Sequence, residues 1–124
     1  MASILVIDDY PEARSFLVRA LQGCGYDVCE AANGRDGVKQ YATGAFDLVI
    51  TDIVMPEMDG MECITELRRQ NPAAVILAIS GGGSHLDKDS CLKLAQRLGA
   101  QAVLPKPFRL QALEETVSTL LETA

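Results

Sequence analysis

Short apolar blocks and amphipathic segments alternate five times along this chain, and no other feature limits its fold so tightly. The strand candidates are Ile4 to Ile7, Asp27 to Ala32, Leu48 to Thr51, Val75 to Ile79 and Ala102 to Leu104. Each is followed by a stretch whose apolar residues recur at helical spacing. Tyr10 to Gln22 places Ala13, Phe16, Leu17, Ala20 and Leu21 on one face, with Pro11 suited to a first turn and Gly23 or Gly25 to an end. The second helix, near Arg35 to Thr43, has a stripe of Val38, Tyr41 and Ala42. Asp59 with Glu62 reads as a capping arrangement for the third, which carries Cys63, Ile64 and Leu67 inward and stops at Asn71-Pro72. Cys91, Leu94, Ala95 and Leu98 mark the fourth helix, and Leu110, Leu113, Val117, Leu120 and Leu121 the fifth.

Strict strand–helix alternation with short connections implies a parallel sheet covered by helices on both faces, a doubly wound (βα)5 three-layer α/β sandwich. The first, third and fourth strands are continuous aliphatic runs, as expected where both faces are buried. The second contains Asp27 and Glu30 and the fifth is short, so both suit edges. The predicted order is 2-1-3-4-5, with a switch point between strands one and three.

At 124 residues, with 48% hydrophobic and 23% charged residues, the chain reads as one domain over 1–124. It has no apolar run of membrane-spanning length and no signal-peptide pattern, so a cytoplasmic protein is expected. Its ends, Met1 and the residues just after the fifth helix, lean toward a stand-alone module. The net charge is −6 and no Lys/Arg cluster is present, which disfavours direct nucleic-acid binding. None of Cys24, Cys29, Cys63 and Cys91 forms a C-x-x-C pair. Three of the four have apolar or small neighbours, and reduced core thiols are expected rather than a metal site or disulfides.

In an open parallel sheet, ligands bind at the carboxyl ends of the strands. Those ends carry Asp8-Asp9 after strand one, Asp52 after strand three, Ser80 after strand four and Lys106-Pro107 after strand five. Two carboxylates about 5 Å apart repel by roughly 3 kcal/mol at an effective dielectric near 20. Stability alone gives no reason to gather three of them. A divalent cation does, because Mg²⁺ favours hard oxygen ligands from one or two carboxylates. Lys106 balances the remaining charge or grips an incoming phosphate. With a hydroxyl from Ser80, the set suits phosphoryl transfer onto a carboxylate nucleophile.

These residues resemble those of response-regulator receiver domains of two-component signalling. The similarity spans nearly the whole chain: LVIDDY near the start, DLVITDIVMPEMDG in the middle, AISG after strand four and LPKPF before the last helix. Each piece alone is weak, but the four in order are specific. The resemblance implies a flavodoxin-like fold, with Asp52 as phospho-acceptor and Mg²⁺ (or Mn²⁺) as cofactor. It implies Asp9 as a direct metal ligand, Asp8 as a partner through metal-bound water, and Asp52 and the Val54 carbonyl completing the protein's share. Ser80 matches the hydroxyl that turns toward the phosphoryl group and Lys106 the lysine that pairs with it, with a cis Lys106-Pro107 peptide. The implied donor is a phosphohistidine on a sensor histidine kinase or phosphotransfer protein. The implied output is a switch of the helix 4, strand 5 and helix 5 surface toward a partner, as a monomer or a phosphorylation-dependent homodimer. Such a module modifies only itself and is not a turnover enzyme.

Three departures from the family pattern stand out. Val103 occupies the place of a usual aromatic readout residue, three before the lysine. The interval from Ser80 to Lys106 is a few residues longer than usual and opens with Gly81, Gly82 and Gly83, predicting a long mobile loop. Val54 is apolar where the residue tunes phosphate lifetime.

Blander readings remain beside these. Asp52 taken alone is a turn residue, Asp8 or Asp9 a helix cap, Ser80 a turn residue and Lys106 a solvated charge. His85, the only histidine, is expected to be solvated, and Met55 and Met58 to shape the loop after Asp52. The triple glycine lacks the spacing of a nucleotide loop. Two other functions compete: a phosphatase with an aspartate nucleophile, which usually has a second acid where Val54 stands, and a docking module that is never phosphorylated.

Overall fold

In a computed structural model, residues 1–53, 60–80, 93 and 96–123 are described, the side chains of residues 60, 80 and 123 excepted. The five strands are β1 (Ser3–Ile7), β2 (Asp27–Ala31), β3 (Leu48–Asp52), β4 (Ile76–Ser80) and β5 (Ala102–Pro105). The helices are α1 (Pro11–Gly23), α2 (Gly34–Thr43), α3 (Gly60–Gln70), α4, described at residues 93 and 96–98, and α5 (Leu110–Thr123). All four strand pairings are parallel and the sheet order is β2-β1-β3-β4-β5, as predicted. The acidic residues in β2 and the shortness of β5 do mark the edges.

Period-two alternation in the strands divides the core in two. Ile4, Val6, Leu48, Ile50, Leu77, Ile79 and Leu104 pack against Leu17, Val18 and Leu21 of α1 and Leu113, Val117 and Leu120 of α5. Leu5, Ile7, Val49, Ile76, Ala78 and Val103 face the other way, onto Cys63, Ile64 and Leu67 of α3, with Val38 and Tyr41 of α2 alongside. Both faces of β1, β3 and β4 are thus covered, which is why their sequences are unbroken aliphatic runs.

Several local expectations need correction. Phe16 is 42% exposed, and the residue α1 buries instead is Val18. Phe16 sits against Phe108, ring centroids 6.4 Å apart, along an open cavity of about 500 Å³ that Tyr10 and Lys106 also line. In α2, Ala42 is exposed, while Gly34 and Gly37 are buried. A Cβ on Gly37 would come within 2.4 Å of Ile7 Cδ1, so the missing side chain is what lets α2 close on the end of β1. Cys24 and Cys29 are exposed and only Cys63 is buried among the described cysteines. Cys24 follows the end of α1 and Cys29 stands on the edge strand, places where small apolar neighbours do not imply burial. All three are free thiols, and burial pushes the Cys63 thiol up to about 11.

The Lys106-Pro107 peptide is cis. Gly23 closes α1, with Gly25 at φ +93°, and α3 ends before Asn71. No described helix is long and apolar enough to cross a membrane. Asp59, Met55, Met58, Cys91, Leu94, Ala95, His85 and the glycines 81–83 lie outside the described residues.

In α5, Leu113 is fully buried whereas Leu110, expected in the core, is 44% exposed at the helix start. Leu113→Ala should therefore lower unfolding free energy by about 2–5 kcal/mol. Leu110→Ala should cost no more than about 1 kcal/mol. Urea denaturation of the two variants checks the difference.

Candidate functional site

The register of the parallel sheet sets the site. Ile7 pairs with Thr51, so the residues that follow them, Asp8 and Asp52, emerge side by side at the carboxyl edge. Asp8 shares the parity of Ile4 and Val6, and Asp52 that of Leu48 and Ile50, so their side chains leave on the same side of the sheet. Lys106 follows β5 with the parity of Leu104. Carboxylate oxygens of Asp8, Asp9 and Asp52 lie within 4.8 Å of one another. Lys106 Nζ stands 3.5 Å from Asp52 Oδ2 and 3.9 Å from Asp8 Oδ2.

The cluster is sheltered. Asp8 is fully buried, Asp52 is 7% exposed and Asp9 is partly buried. Asp8 Oδ1 accepts the Tyr10 N–H at 2.9 Å, a local turn that leads into α1. This is as near as the acidic pair comes to capping that helix: Tyr10 occupies the cap position, and it makes no side-chain capping bond. Asp8 Oδ2 is buried and has no hydrogen-bond partner among the described residues. Burial chiefly raises the Asp8 carboxyl above the usual carboxylate range. The charges of Asp52 and Asp9 raise it further, against the lowering effects of the Tyr10 N–H and Lys106.

A buried carboxylate oxygen left unpaired among like charges is destabilising by itself. The donor set, all carboxylate oxygen, is one that a hard divalent cation takes. The cluster is thus capable of holding such an ion, and Asp8 Oδ2 is the atom whose surroundings most require one. The lysine alone neutralises one charge of three, and at 3.5 and 3.9 Å it is not in tight contact with either carboxylate.

The structure brings Asp8, Asp9, Asp52 and Lys106 together. Ser80 is the last residue of β4, its backbone opposite Pro105 in β5, which puts it at the same edge; its side chain is one of those excepted. Val54 lies outside the described residues. Val103 is 9% exposed and belongs to the core facing α3.

Sequence reading missed Arg14. From α1 its Nη1 donates to the Asp8 carbonyl at 2.9 Å and its Nε to Glu30 Oε1 at 2.8 Å. The only sequence signal was position: six residues past Asp8, one helical turn inside α1, an arginine is near enough to reach back.

A family model described as "Response regulator receiver domain" matches residues 4–118. The sensor kinase CckA of Brucella abortus is 38% identical over 126 residues, covering 98% of this chain and 13% of that protein. The alkaline phosphatase synthesis transcriptional regulatory protein PhoP of Bacillus subtilis is 32% identical over 118 residues, covering 95% and 48%. This chain therefore spans less than half the length of either. Among solved structures, the response regulator protein TrrA of Thermotoga maritima, in complex with Mg(2+)-BeF, shares 36% identity. It covers 97% of this chain and 99% of that one, with a TM-score of 0.82. The chemotaxis protein CheY4 of Vibrio cholerae shares 30% identity, 97% and 98% coverage and a TM-score of 0.83.

The raised Asp8 carboxyl has a sign that can be measured. Without metal the folded protein holds this proton more tightly than the unfolded chain does. Stability therefore falls as pH rises from the ordinary carboxylate range through the folded value, and the penalty is complete above it. Metal-free Asp8→Asn should be more stable than the parent above the raised Asp8 value, with the gap narrowing as pH falls through that value toward the ordinary carboxylate range. Urea unfolding at a series of pH values, with chelator present, gives the comparison.

Proposed function

We propose, from the premise that this chain belongs to the response regulator receiver domain family, that Asp52 is the residue that accepts the phosphoryl group and that Mg²⁺ is the cation used. As a receiver domain the chain is phospho-accepting and acts only on itself, not on outside substrates. We take residues 1–124 as one such domain. The observation that carries the residue assignment is the convergence of Asp8, Asp9 and Asp52 within 4.8 Å, with Lys106 Nζ 3.5 Å from Asp52.

Asp52 is the best placed nucleophile of the three. It lies at the end of a central strand, flanked by β1 and β4, and it faces Lys106. Asp8 and Asp9, with Asp52 and the carbonyl of Val54, would hold the cation. When bound, it supplies positive charge that relieves the repulsion between the carboxylates and stabilises negative charge on the phosphoryl oxygens. An Asp52 carboxylate oxygen attacks phosphorus in line with the leaving group. The new P–O bond forms as the donor's P–N bond breaks, and the electron pair returns to the donor imidazole nitrogen. Lys106, with its side chain 30% exposed, needs little movement to pair with a phosphoryl group carried by Asp52. Ser80, at the end of the neighbouring strand, is the proposed hydroxyl donor to that group.

The donor we propose is a phosphohistidine on a sensor histidine kinase or histidine phosphotransfer protein, and the setting is the cytoplasm. The relatives named as a sensor kinase and a transcriptional regulator support a place in such a relay. The proposed output is a two-state shift of the surface formed by α4, β5 and α5. It starts from Lys106, which joins β5 to the segment leading into α5. Buried Val103 leaves that shift without an aromatic side chain to rotate in β5.

Incubation with Mg²⁺ and a small acyl phosphate should add one phosphoryl group per chain, seen as a mass gain that alkaline hydroxylamine removes. Asp52→Asn should abolish the adduct, and Lys106→Ala should slow its formation by about tenfold or more. Full labelling of Asp52→Asn would overturn the assignment.

A further inference from the structure

The Asp8 backbone and side chain are held on three sides. Its N–H donates to the Ala31 carbonyl of β2 at 3.1 Å, and its Oδ1 accepts the Tyr10 N–H. Its carbonyl accepts Arg14 Nη1 at 2.9 Å. What remains is Oδ2, buried and without a hydrogen bond among the described residues, placed toward Asp52 and Lys106. The first two restraints come from neighbouring backbone. The third depends on a single side chain and is therefore the one that a mutation can remove.

Arg14 is itself fixed at both prongs. While Nη1 holds the Asp8 carbonyl, Nε is held by Glu30 Oε1 at 2.8 Å, and the side chain is only 18% exposed. Glu30 is anchored in turn, its carbonyl accepting Gln40 Nε2 of α2 at 2.8 Å. Arg14 thus ties α1 and β2 to the residue that opens the acidic loop. It reaches the carbonyl of Asp8, not the carboxylate, so it does not compete with a cation for Oδ2.

We propose that Arg14 is a positioning residue for the metal site: its two-pronged contact with the Asp8 carbonyl and Glu30 fixes the turn that presents Asp8 and Asp9. Side chains that orient ligands from behind commonly change metal affinity by 10–100-fold when removed. A lysine keeps the charge but has no planar fork to span two acceptors. Geometry and charge therefore make different predictions for Arg14→Lys.

The inference rests on the site proposed above, and the test separates the two. Mg²⁺ alone is titrated into the protein while the backbone amide NMR signals around Asp8 to Tyr10 are followed. The dispersion of the whole spectrum reports the folded fraction independently. The parent should give a saturable shift. Arg14→Met and Arg14→Lys should each need about tenfold more Mg²⁺ for half saturation, with native spectra retained. Partial unfolding alone would raise the half-saturation point only by the factor set by the unfolded-to-folded ratio, which the metal-free spectrum gives, so a larger shift reports the site itself. Either variant binding within about twofold of the parent overturns the role given to the fork. Should Arg14→Met not fold, Glu30→Ala, on the exposed side of the pair, should still weaken binding by about threefold or more. Unchanged affinity there overturns the proposal equally. No saturable shift in the parent would remove the metal site itself, and this inference with it.

Discussion

Like-charge repulsion among three carboxylates at one edge of the sheet is the constraint to which the rest of this structure answers. Parallel pairing of β1 with β3 brings Asp8 beside Asp52, and the alternation of side chains sends both to the same side. The hydrophobic cores that α1, α3 and α5 bury make that register costly to shift. A slip of one residue would move every inward side chain to the opposite face, so the arrangement is enforced by packing that lies well away from the charges. Stability of the core is thus what holds a locally unfavourable cluster in place.

Burial sharpens the conflict. Asp8 is the most enclosed of the three, and its Oδ2, which has no hydrogen bond among the described residues, marks the point where folding leaves a requirement unmet by them. Lys106 answers it in part, 3.9 Å from Asp8 Oδ2 and 3.5 Å from Asp52 Oδ2. A divalent cation held by the cluster would meet that requirement. Arg14, Glu30 and Tyr10 keep the acidic loop from relaxing away from the strain.

Much of this was legible in the residues. The aliphatic runs of β1, β3 and β4 marked central strands, and the charged or short β2 and β5 marked edges, which was enough to order the sheet. Asp8, Asp9, Asp52 and Lys106 were legible because each ends a recognisable strand or lies within two residues of its end. Side-chain exposure near helix ends was less so. Phe16 and Leu110 have the spacing of core residues, yet they stand over the cavity beside Lys106 and at the first turn of α5, where nothing covers them fully. The close approach of Gly37 to Ile7 and the reach of Arg14 to Asp8 are tertiary facts with no periodic signature. The exposure of Cys24 and Cys29 was not legible, because neighbouring residue types do not show where an edge strand or a helix terminus meets solvent.

In the proposed function, the repulsive corner holds a cation beside the side chain that is phosphorylated. A crystal structure of this protein with Mg²⁺ and beryllofluoride, a phosphoryl mimic, tests it most directly. The mimic should sit on an Asp52 oxygen, the ion among Asp8, Asp9 and Asp52, and Lys106 should be drawn onto a fluorine. A mimic on another carboxylate, or an ion bound away from Asp8 with Lys106 left in solvent, would contradict it.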